Sequence, residues 1–324
     1  PVLRGFEANK VLLVVDGVRL NNAIYRNGHL QNAITIDHGS LESTEVIFGP
    51  GSLNYGSDAI GGVIHFKTKN PILNTESDKL KIGSSITSRF ASANNEKRLH
   101  ADLNLANKRW AMYSSLSAVD FDDLRSGSRY NEDYPEFGQR KTYIVTENAV
   151  DKIISNPNPS VQIGSAYSQF DLLNKIKYQW KDNASFSTNV QYSKSSDIPR
   201  YDQLIEEDNG EAVFAEWFYG PQERLMISPS FSLEKSSGWF DNLYIIAAFQ
   251  SIVEERNSRR LNQEFLETNK EEIDVYSLSL DFKKSFFNNQ KLNYGFEYQF
   301  NDLSSTAINQ SRLAPLETNN DILT

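Results

Sequence analysis

LESTEVIFGPGSLNYGSDAIGGVIHFKTK, residues 41–69, is the stretch that decides the fold of this chain. The runs Glu45 to Phe48 and Val63 to Phe66 are rich in β-branched and aromatic residues, and glycines lie between them. Because glycine tolerates positive φ and proline fixes its own φ, the pattern predicts a strand, a compact turn, a second glycine turn and a second strand. Strands this short are not stable alone in water, so they must pack against a larger structure.

The glycine spacing resembles the C-terminal part of the plug domain of TonB-dependent outer-membrane receptors. In that family, Arg-Gly and Val-Asp-Gly-Val elements precede Gly-Pro, Tyr-Gly and Gly-Gly-Val-Ile elements at fixed spacing. The matching residues, expected to be structural, are Arg4, Gly5, Asp16, Gly17, Gly49, Pro50, Tyr55, Gly56, Gly61 and Gly62. The resemblance predicts that residues 1–72 are the C-terminal part of a plug and that residues 73–79 are a linker. Turns in an unrelated α/β domain are the alternative.

From about residue 80 the hydrophobic period changes to two, which is typical of strands with one apolar and one hydrated face. Tyr276, Leu278 and Leu280, for example, alternate with Ser277 and Ser279. A soluble β-sandwich has the same alternation. The predicted strands, about nine in number, are 80–91, 96–107, 109–120, 166–181, 184–195, 224–235, 239–255, 272–286 and 290–303.

The connections favour an outer-membrane barrel over a sandwich. Tight turns are predicted at 107–108, 181–183, 236–238 and 288–290. They alternate with connections that are mostly long, at 121–165, 196–223 and 256–271; only the first, near residues 94–95, is short. Short turns on the periplasmic rim and long loops on the outer rim are typical of such barrels. The predicted fold is mainly β, with an α/β plug remnant and a partial transmembrane antiparallel β-barrel over residues 80–324. Plugged transporters have about 22 strands, so the expected barrel is truncated.

Composition agrees with this prediction and excludes other classes. Mean hydropathy is −0.51, and no run approaches eighteen apolar residues, so no transmembrane helix is predicted. Aromatic residues reach 12%, enough for interfacial girdles, and the net charge of −9 argues against a nucleic-acid partner. Cysteine is absent, which excludes disulfides and thiolate metal sites. Because the chain opens at Pro1 inside the plug pattern, we expect a fragment without signal peptide or TonB-box segment.

Motifs of catalysis are absent from the sequence. It contains neither HExxH nor GxGxxG, and Gly49-Pro50-Gly51 lacks the Lys-Ser/Thr of a phosphate loop. We therefore predict that the protein is not an enzyme and requires no cofactor.

His29 is the sharpest candidate for a ligand-binding residue. Several haem receptors of the resembling family have Gly-His-Leu at about this place, as Gly28-His29-Leu30 here. The resemblance implies that His29 faces the ligand and can bind haem iron, for which neutral imidazole is a good ligand. Tyr25 and Arg26 could stack on a porphyrin or pair with its propionates. An exposed loop histidine and an ordinary plug surface are the alternatives.

The other histidines have different expected places. His38 is predicted to be on the surface and His65 to be structural, on the last plug strand. His100 alternates with Asp102 and Asn104 on a hydrated face, so it is predicted to line the wall against the plug.

The predicted outer loops carry aromatic residues interleaved with charge. Tyr201, Trp217 and Tyr219 are the candidates for ligand contact, since such clusters suit binding surfaces. A girdle combined with packing between loops is the alternative. The interface between plug and wall is expected to be polar.

The resemblance implies TonB-dependent active import across the Gram-negative outer membrane. The expected ligand is an iron-bearing compound, with haem favoured over a ferric siderophore, and haem would be cargo rather than cofactor. The expected partners are the periplasmic TonB complex, outer-membrane lipid, and a small iron-bearing ligand or haem protein. The alternatives are a receptor for a protein, glycan or peptide that works with a surface lipoprotein, and a signalling barrel.

Overall fold

The computed structural model describes residues 2–3, 5–7, 10–25, 33–49, 55–127, 132–235, 237–286, 290–312 and 322–323. Among these residues, no helix is long and apolar enough to cross a membrane.

The plug is built on a small mixed sheet. Its strands are β1 (Val2–Leu3), β2 (Phe6–Glu7), β3 (Val11–Val15), β4 (Val18–Arg19), β5 (Leu41–Phe48) and β6 (Gly62–Thr68), with a 3-10 helix at His38–Ser40 before β5. The sheet order is β4-β3-β6-β5, and β3 runs parallel to β6. Every residue of β3 is buried, which explains its unbroken apolar run. The strand–turn–strand prediction for residues 41–69 is therefore confirmed for β5 and β6.

Gly62 shows why the deciding stretch needs glycine. It begins β6 at φ +146°, a conformation that side chains with a Cβ rarely adopt. A Cβ at this position would also lie 2.5 Å from the carbonyl oxygen of Ile47 on β5. The close pairing of the two strands thus depends on the missing side chain.

A large antiparallel sheet, here called the wall, forms most of residues 80–324. The remaining strands are β7 (Lys81–Ala91), β8 (Glu96–Ala106), β9 (Trp110–Phe121), β10 (Leu124–Arg125), β11 (Thr142–Glu147), β12 (Val150–Ser155), β13 (Val161–Gln162), β14 (Tyr167–Lys181), β15 (Ala184–Ser195), β16 (Ile198–Pro199), β17 (Glu207–Asp208), β18 (Glu211–Ala212), β19 (Phe214–Tyr219), β20 (Glu223–Glu234), β21 (Asn242–Arg260), β22 (Phe265–Phe286), β23 (Gln290–Ser311) and β24 (Ile322–Leu323), with helix α1 (Tyr201–Leu204) after β16. The wall order is β24-β23-β22-β21-β20-β15-β14-β9-β8-β7.

Six of the predicted wall strands, those that correspond to β7, β8, β9, β14, β15 and β20, agree with the structure to within one residue, since period-two patterning fixes both existence and facing of a strand. The last three are longer than predicted: β21 ends at Arg260, β22 begins at Phe265 and β23 ends at Ser311. Their tight connections lie at one rim, as between β8 and β9 and between β14 and β15. The loops at the other rim are folded rather than irregular: β10 pairs with β13, β11 with β12, and β17 with β18.

One predicted connection is wrong. Residues 256–271 were expected to form a loop, but β21 and β22 continue their pairing as far as Ser258 and Glu267. The extension is held by polar contacts, including Thr268 donating to Asn257 at 2.6 Å. Beyond the bilayer both faces of a strand meet water, so the apolar alternation that marks a strand in sequence is lost there.

The two faces of the wall differ as expected. Leu278 pairs with Ala247 and Tyr298 and is exposed on the outer face, whereas Ser279 pairs with Ile246 on the face toward the plug. The inner face is not uniformly polar. Met226, Ile246 and Ala248 are buried in one cluster with Leu13 and Val15 of the plug. The plug therefore rests on an apolar patch of the wall that the expected polar interface did not include.

Candidate ligand-binding site and plug–wall interface

Asp16 joins the turn after β3 to the wall. Its carboxylate accepts hydrogen bonds from the backbone and side chain of Thr68, at 2.9 and 2.6 Å. On the wall side, Asn189 and Gln191 donate to it at 2.9 and 3.0 Å, and Lys175 lies 3.1 Å away. The Asp of the Val-Asp-Gly-Val element thus organises the plug and docks it at the same time.

Asp37 and His100 form a second polar contact between plug and wall. Ser117 donates to Asp37 at 2.7 Å, and the Nδ1 atom of His100 lies 2.7 Å from the Ser117 hydroxyl. Gly39 packs on the imidazole so closely that a Cβ would lie 2.6 Å from Nδ1. The predicted position of His100, facing the plug from the wall, is confirmed.

Arg19 holds the turn that contains the Tyr-Gly element, Tyr55-Gly56. Its guanidinium donates to the carbonyl oxygens of Tyr55 and Ser57, each at 2.8 Å, and pairs with Asp58 at 3.1 Å. It also pairs with Glu297 of β23 at 3.1 Å. One buried arginine therefore shapes the turn before β6 and ties it to the wall.

The described motif residues behave as structural elements. His38 is exposed, as predicted, and His65 is half-buried on β6. Positive φ angles occur at Gly5, Gly17, Gly49, Gly56 and Gly62. Arg4, Arg26, His29 and Pro50 lie outside the described residues.

Tyr25 lies where the plug meets the upper part of the wall. Its hydroxyl donates to Glu254 of β21 at 3.2 Å, and it packs beside Ile24, Ile252 and Ile273. Burial first, and then the Glu254 carboxylate, raises the pKa of Tyr25 well above its ordinary value. Tyr219 pairs with Arg256, two positions beyond Glu254 on β21, and its phenol adds to this increase. Tyr219 of the outer loop therefore lies near Tyr25 of the plug.

The structure brings Trp217 and Tyr219 together around an arginine. Their rings are 5.4 Å apart in an edge-to-face arrangement, and the Arg200 guanidinium lies 4.7 and 5.4 Å from their centroids. Arg200 also donates to the Tyr219 hydroxyl at 2.8 Å and pairs with Asp202 at 2.6 Å. The hydrogen bond from Arg200 lowers the pKa of Asp202. We call Arg200, Tyr201, Trp217 and Tyr219 the aromatic cluster.

Tyr201 meets a second arginine, from the preceding loop. The Arg140 guanidinium lies 5.5 Å from the Tyr201 ring centroid, and its Nε donates to the carbonyl of Thr142 at 3.2 Å. Burial lowers the pKa of Arg140, and its Nη1 atom has no hydrogen-bond partner among the described residues. Arg140, Arg200 and Glu254 were not predicted from the sequence. The only local signal was the aromatic Tyr201 next to Arg200.

Arg259 fixes the outer loops to one another. Its guanidinium binds both carboxylate oxygens of Asp151, at 2.7 and 2.8 Å, and donates to Glu216 at 2.8 Å. Thr146 and the carbonyl of Gln263 accept its remaining donors. Since Asp151 lies on β12 and Glu216 on β19, this fully buried cation holds the β11–β12 hairpin against the aromatic cluster's own strand.

Within the described part of the chain, no group of three or more acidic or histidine side chains could hold a metal ion. The carboxylate of Asp123, in the long connection 121–165, accepts hydrogen bonds from the backbone amides of residues 164, 165 and 166.

A plug docked on the inner face of an antiparallel wall with an apolar outer face defines the class: a plugged outer-membrane β-barrel. The family described as TonB-dependent Receptor Plug Domain matches residues 1–63. Residues 1–63 therefore match a TonB-dependent receptor plug, and the chain as a whole is similar to TonB-dependent receptors, which are proteins of the Gram-negative outer membrane.

Relatives in sequence and structure agree with this assignment. The chain is 30% identical over 193 residues to the vitamin B12 transporter BtuB of Vibrio vulnificus, covering 60% of this chain and 30% of the relative. It is 31% identical over 141 residues to the heme/hemopexin utilization protein C of Haemophilus influenzae, covering 43% and 19%. The ferric citrate transporter FecA superposes with a TM-score of 0.65 at 14% identity, covering 97% of this chain and 42% of that one. The chain thus spans less than a third of the length of these two curated relatives.

Proposed function

We propose that this chain is part of a receptor for TonB-dependent active import of an iron-bearing ligand, with haem as the ligand. In this proposal residues 1–72 are the plug, residues 73–79 a linker and residues 80–324 the wall. The periplasmic TonB complex supplies the energy, and the ligand is cargo.

The observation that carries the proposal is the aromatic cluster above Tyr25. Aromatic faces stack on flat ligands. The site has Trp217, Tyr219 and Tyr201 at the outer rim and Tyr25 of the plug beneath them. Arg140 adds positive charge beside Tyr201, which favours a ligand with carboxylates. His29, four positions after Tyr25 in the sequence, is the proposed iron ligand, and Arg26 is a proposed partner for a propionate. The haem-utilisation relative supports this choice.

A corrinoid is the second candidate ligand, because the chain is 30% identical over 193 residues to a vitamin B12 transporter. Haem and cobalamin are both broad macrocycles, but haem carries two carboxylates where cobalamin carries amides. A site that selects haem should therefore depend on positive charge, whereas a corrinoid site should not.

The experiment compares binding of haemin and cyanocobalamin to the receptor in outer-membrane vesicles. Trp217→Ala should weaken haemin binding about tenfold, equivalent to about 1.4 kcal/mol, and His29→Ala should shift the Soret band. Trp239→Ala is the matched control, since Trp239 is 82% exposed at the tight-turn rim and should leave binding unchanged. Binding of cyanocobalamin without haemin would replace haem by a corrinoid. An unchanged Soret band would remove His29 as ligand.

A further inference from the structure

A cavity of about 420 Å³ lies between the last plug strand and the wall. We call it the seam cavity. Its plug side includes His65 and Lys67, and its wall side includes residues of β14, β15, β20 and β21 near their tight turns. Since short turns mark the periplasmic rim of such barrels, the cavity lies on the side where an imported solute leaves.

The cavity exists because the wall side chains are small at this level. Ser187 pairs across the sheet with Ser230, and Ser185 pairs with Ser232, all on the inner face. Farther up β20, Met226 fills the corresponding space and packs into the plug core. Serine side chains leave room and also present hydroxyl groups to the space, so polar partners are available to a solute there.

Positive charge dominates the lining. Asp16 is the carboxylate that lines the cavity, and Lys175 neutralises it at 3.1 Å. Lys67 pairs with Glu45, which is not part of the lining. Lys177 also lines the cavity, and no hydrogen bond or ion pair to it occurs within the described ranges. A cleft with one sign of charge and low-dielectric walls attracts counter-charged solutes.

His65 adds a polar atom without a partner. Burial, and then the neighbouring Lys67, lowers the pKa of His65, so its imidazole is neutral at pH 7. Its Nε2 atom is inaccessible to solvent and has no hydrogen-bond partner among the residues described. A buried polar atom of this kind costs free energy for as long as its hydrogen bond is missing.

We propose that the seam cavity receives the carboxylate groups of the imported solute as it passes from the outer site toward the periplasm, with Lys177 as the principal attracting charge. The step rests on the proposed import function. It predicts that passage selects for anionic solutes, separately from the selection made at the aromatic cluster.

Charge selectivity can be measured without the natural ligand by labelling an introduced cysteine, because residues 1–324 contain none. Labelling of the unsubstituted receptor measures the background from the rest of the protein. Ser187 lies directly across the sheet from Lys177. Ser187→Cys in the receptor in outer-membrane vesicles should react at least fivefold faster with a sulfonate-bearing methanethiosulfonate than with a trimethylammonium-bearing one. Lys177→Gln should remove most of this preference. Ser279→Cys is the control, since Ser279 shares the inner face but bonds to Asp281 and should show no anion preference. Equal rates, faster reaction with the cation, or no reaction at Ser187→Cys would overturn the proposal.

A second variant connects the cavity to transport. Ser187→Trp should fill the space and lower haemin uptake about tenfold, while haemin binding at the outer surface stays unchanged; Ser187→Ala should preserve both. Full uptake by the Trp variant would overturn the exit role. Failure of the unsubstituted receptor to bind haemin would contradict the proposed function instead, and the labelling ratio would still decide the charge of the cavity.

Discussion

Lys175 of the wall and Asp16 of the plug form an ion pair of 3.1 Å, with side chains only 7% and 13% exposed. Removing one partner of a buried pair leaves an uncompensated charge and typically costs about 3–5 kcal/mol. Asp16 is also held by four hydrogen bonds, so the pair is part of a network. Docking of the plug therefore depends on charge as well as on the apolar patch.

Replacing either partner should loosen the plug. Asp16→Ala and Lys175→Met are each expected to lower the stability of plug docking by about 3–5 kcal/mol, measured by hydrogen exchange of the β3 and β6 amides in urea. The double variant should recover part of the loss, since it leaves no lone charge. Lys97→Met is the control: Lys97 and Asp120 are 4.0 Å apart and mostly exposed, and such pairs contribute at most about 1 kcal/mol. Additive losses in the double variant would contradict coupling.

Arg259 should decide whether the outer hairpin stays attached. Arg259→Met removes five hydrogen bonds and leaves Asp151 buried and unpaired, so residues 142–155 should become sensitive to limited proteolysis. Arg260→Met, at the adjacent exposed position, should leave the digestion pattern unchanged. Identical protection in both variants would show that other contacts hold the hairpin.

The same hairpin should detach in acid. Burial opposes ionisation of Asp151, but hydrogen bonds from Arg259, the Asn262 amide and Thr146 outweigh it and lower the pKa of Asp151. A carboxyl group with a lowered folded-state pKa contributes stability that is fully present above its unfolded pKa of about 3.9 and is lost as pH falls through the folded value. The protection factors of the β11 and β12 amides, which are corrected for the intrinsic pH dependence of hydrogen exchange, should therefore be constant from pH 7 to 5 and fall below about pH 4. In Asp151→Asn this pH dependence should disappear; its persistence would point to another group.

Arginine substitutions at two neighbouring residues of β22 should have very different effects on folding. Leu278→Arg places a charge on the lipid-facing side, which costs roughly 2–4 kcal/mol near the bilayer midplane. Ser279→Arg places it on the inner face, beside Asp281, where the cost should be small. Folding yield into lipid vesicles measures the difference, and equal yields would refute the assigned faces.

Local sequence patterns predicted a large part of this structure. The β-branched runs on either side of the glycine turns fixed β5 and β6. Period-two alternation placed β7, β8, β9, β14, β15 and β20 to within one residue, because a membrane-facing strand must alternate. The same rule failed for residues 256–271, where polar cross-strand pairs such as Thr268 with Asn257 continue the strands without any apolar signal.

The candidate site was less accessible to sequence reasoning. Tyr201, Trp217 and Tyr219 were recognisable as aromatic residues in a charged loop, but nothing local indicated that Arg200 would lie over two of their rings or that Arg140 would reach Tyr201. These partners come from different loops or from opposite sides of one loop, so their contact depends on how the loops fold together.

By itself, the sequence determined the resemblance to the plug family, the plug strands β5 and β6, the facing of the wall and the lack of cysteine in these residues, because each follows from residue type and spacing along one segment. Only the tertiary structure decided that Asp16 meets Lys175, that Arg259 joins β12 to β19, and that serines facing His65 leave a cavity at the seam. Those contacts join residues more than forty positions apart, and no local pattern encodes which distant side chains will share a desolvated space.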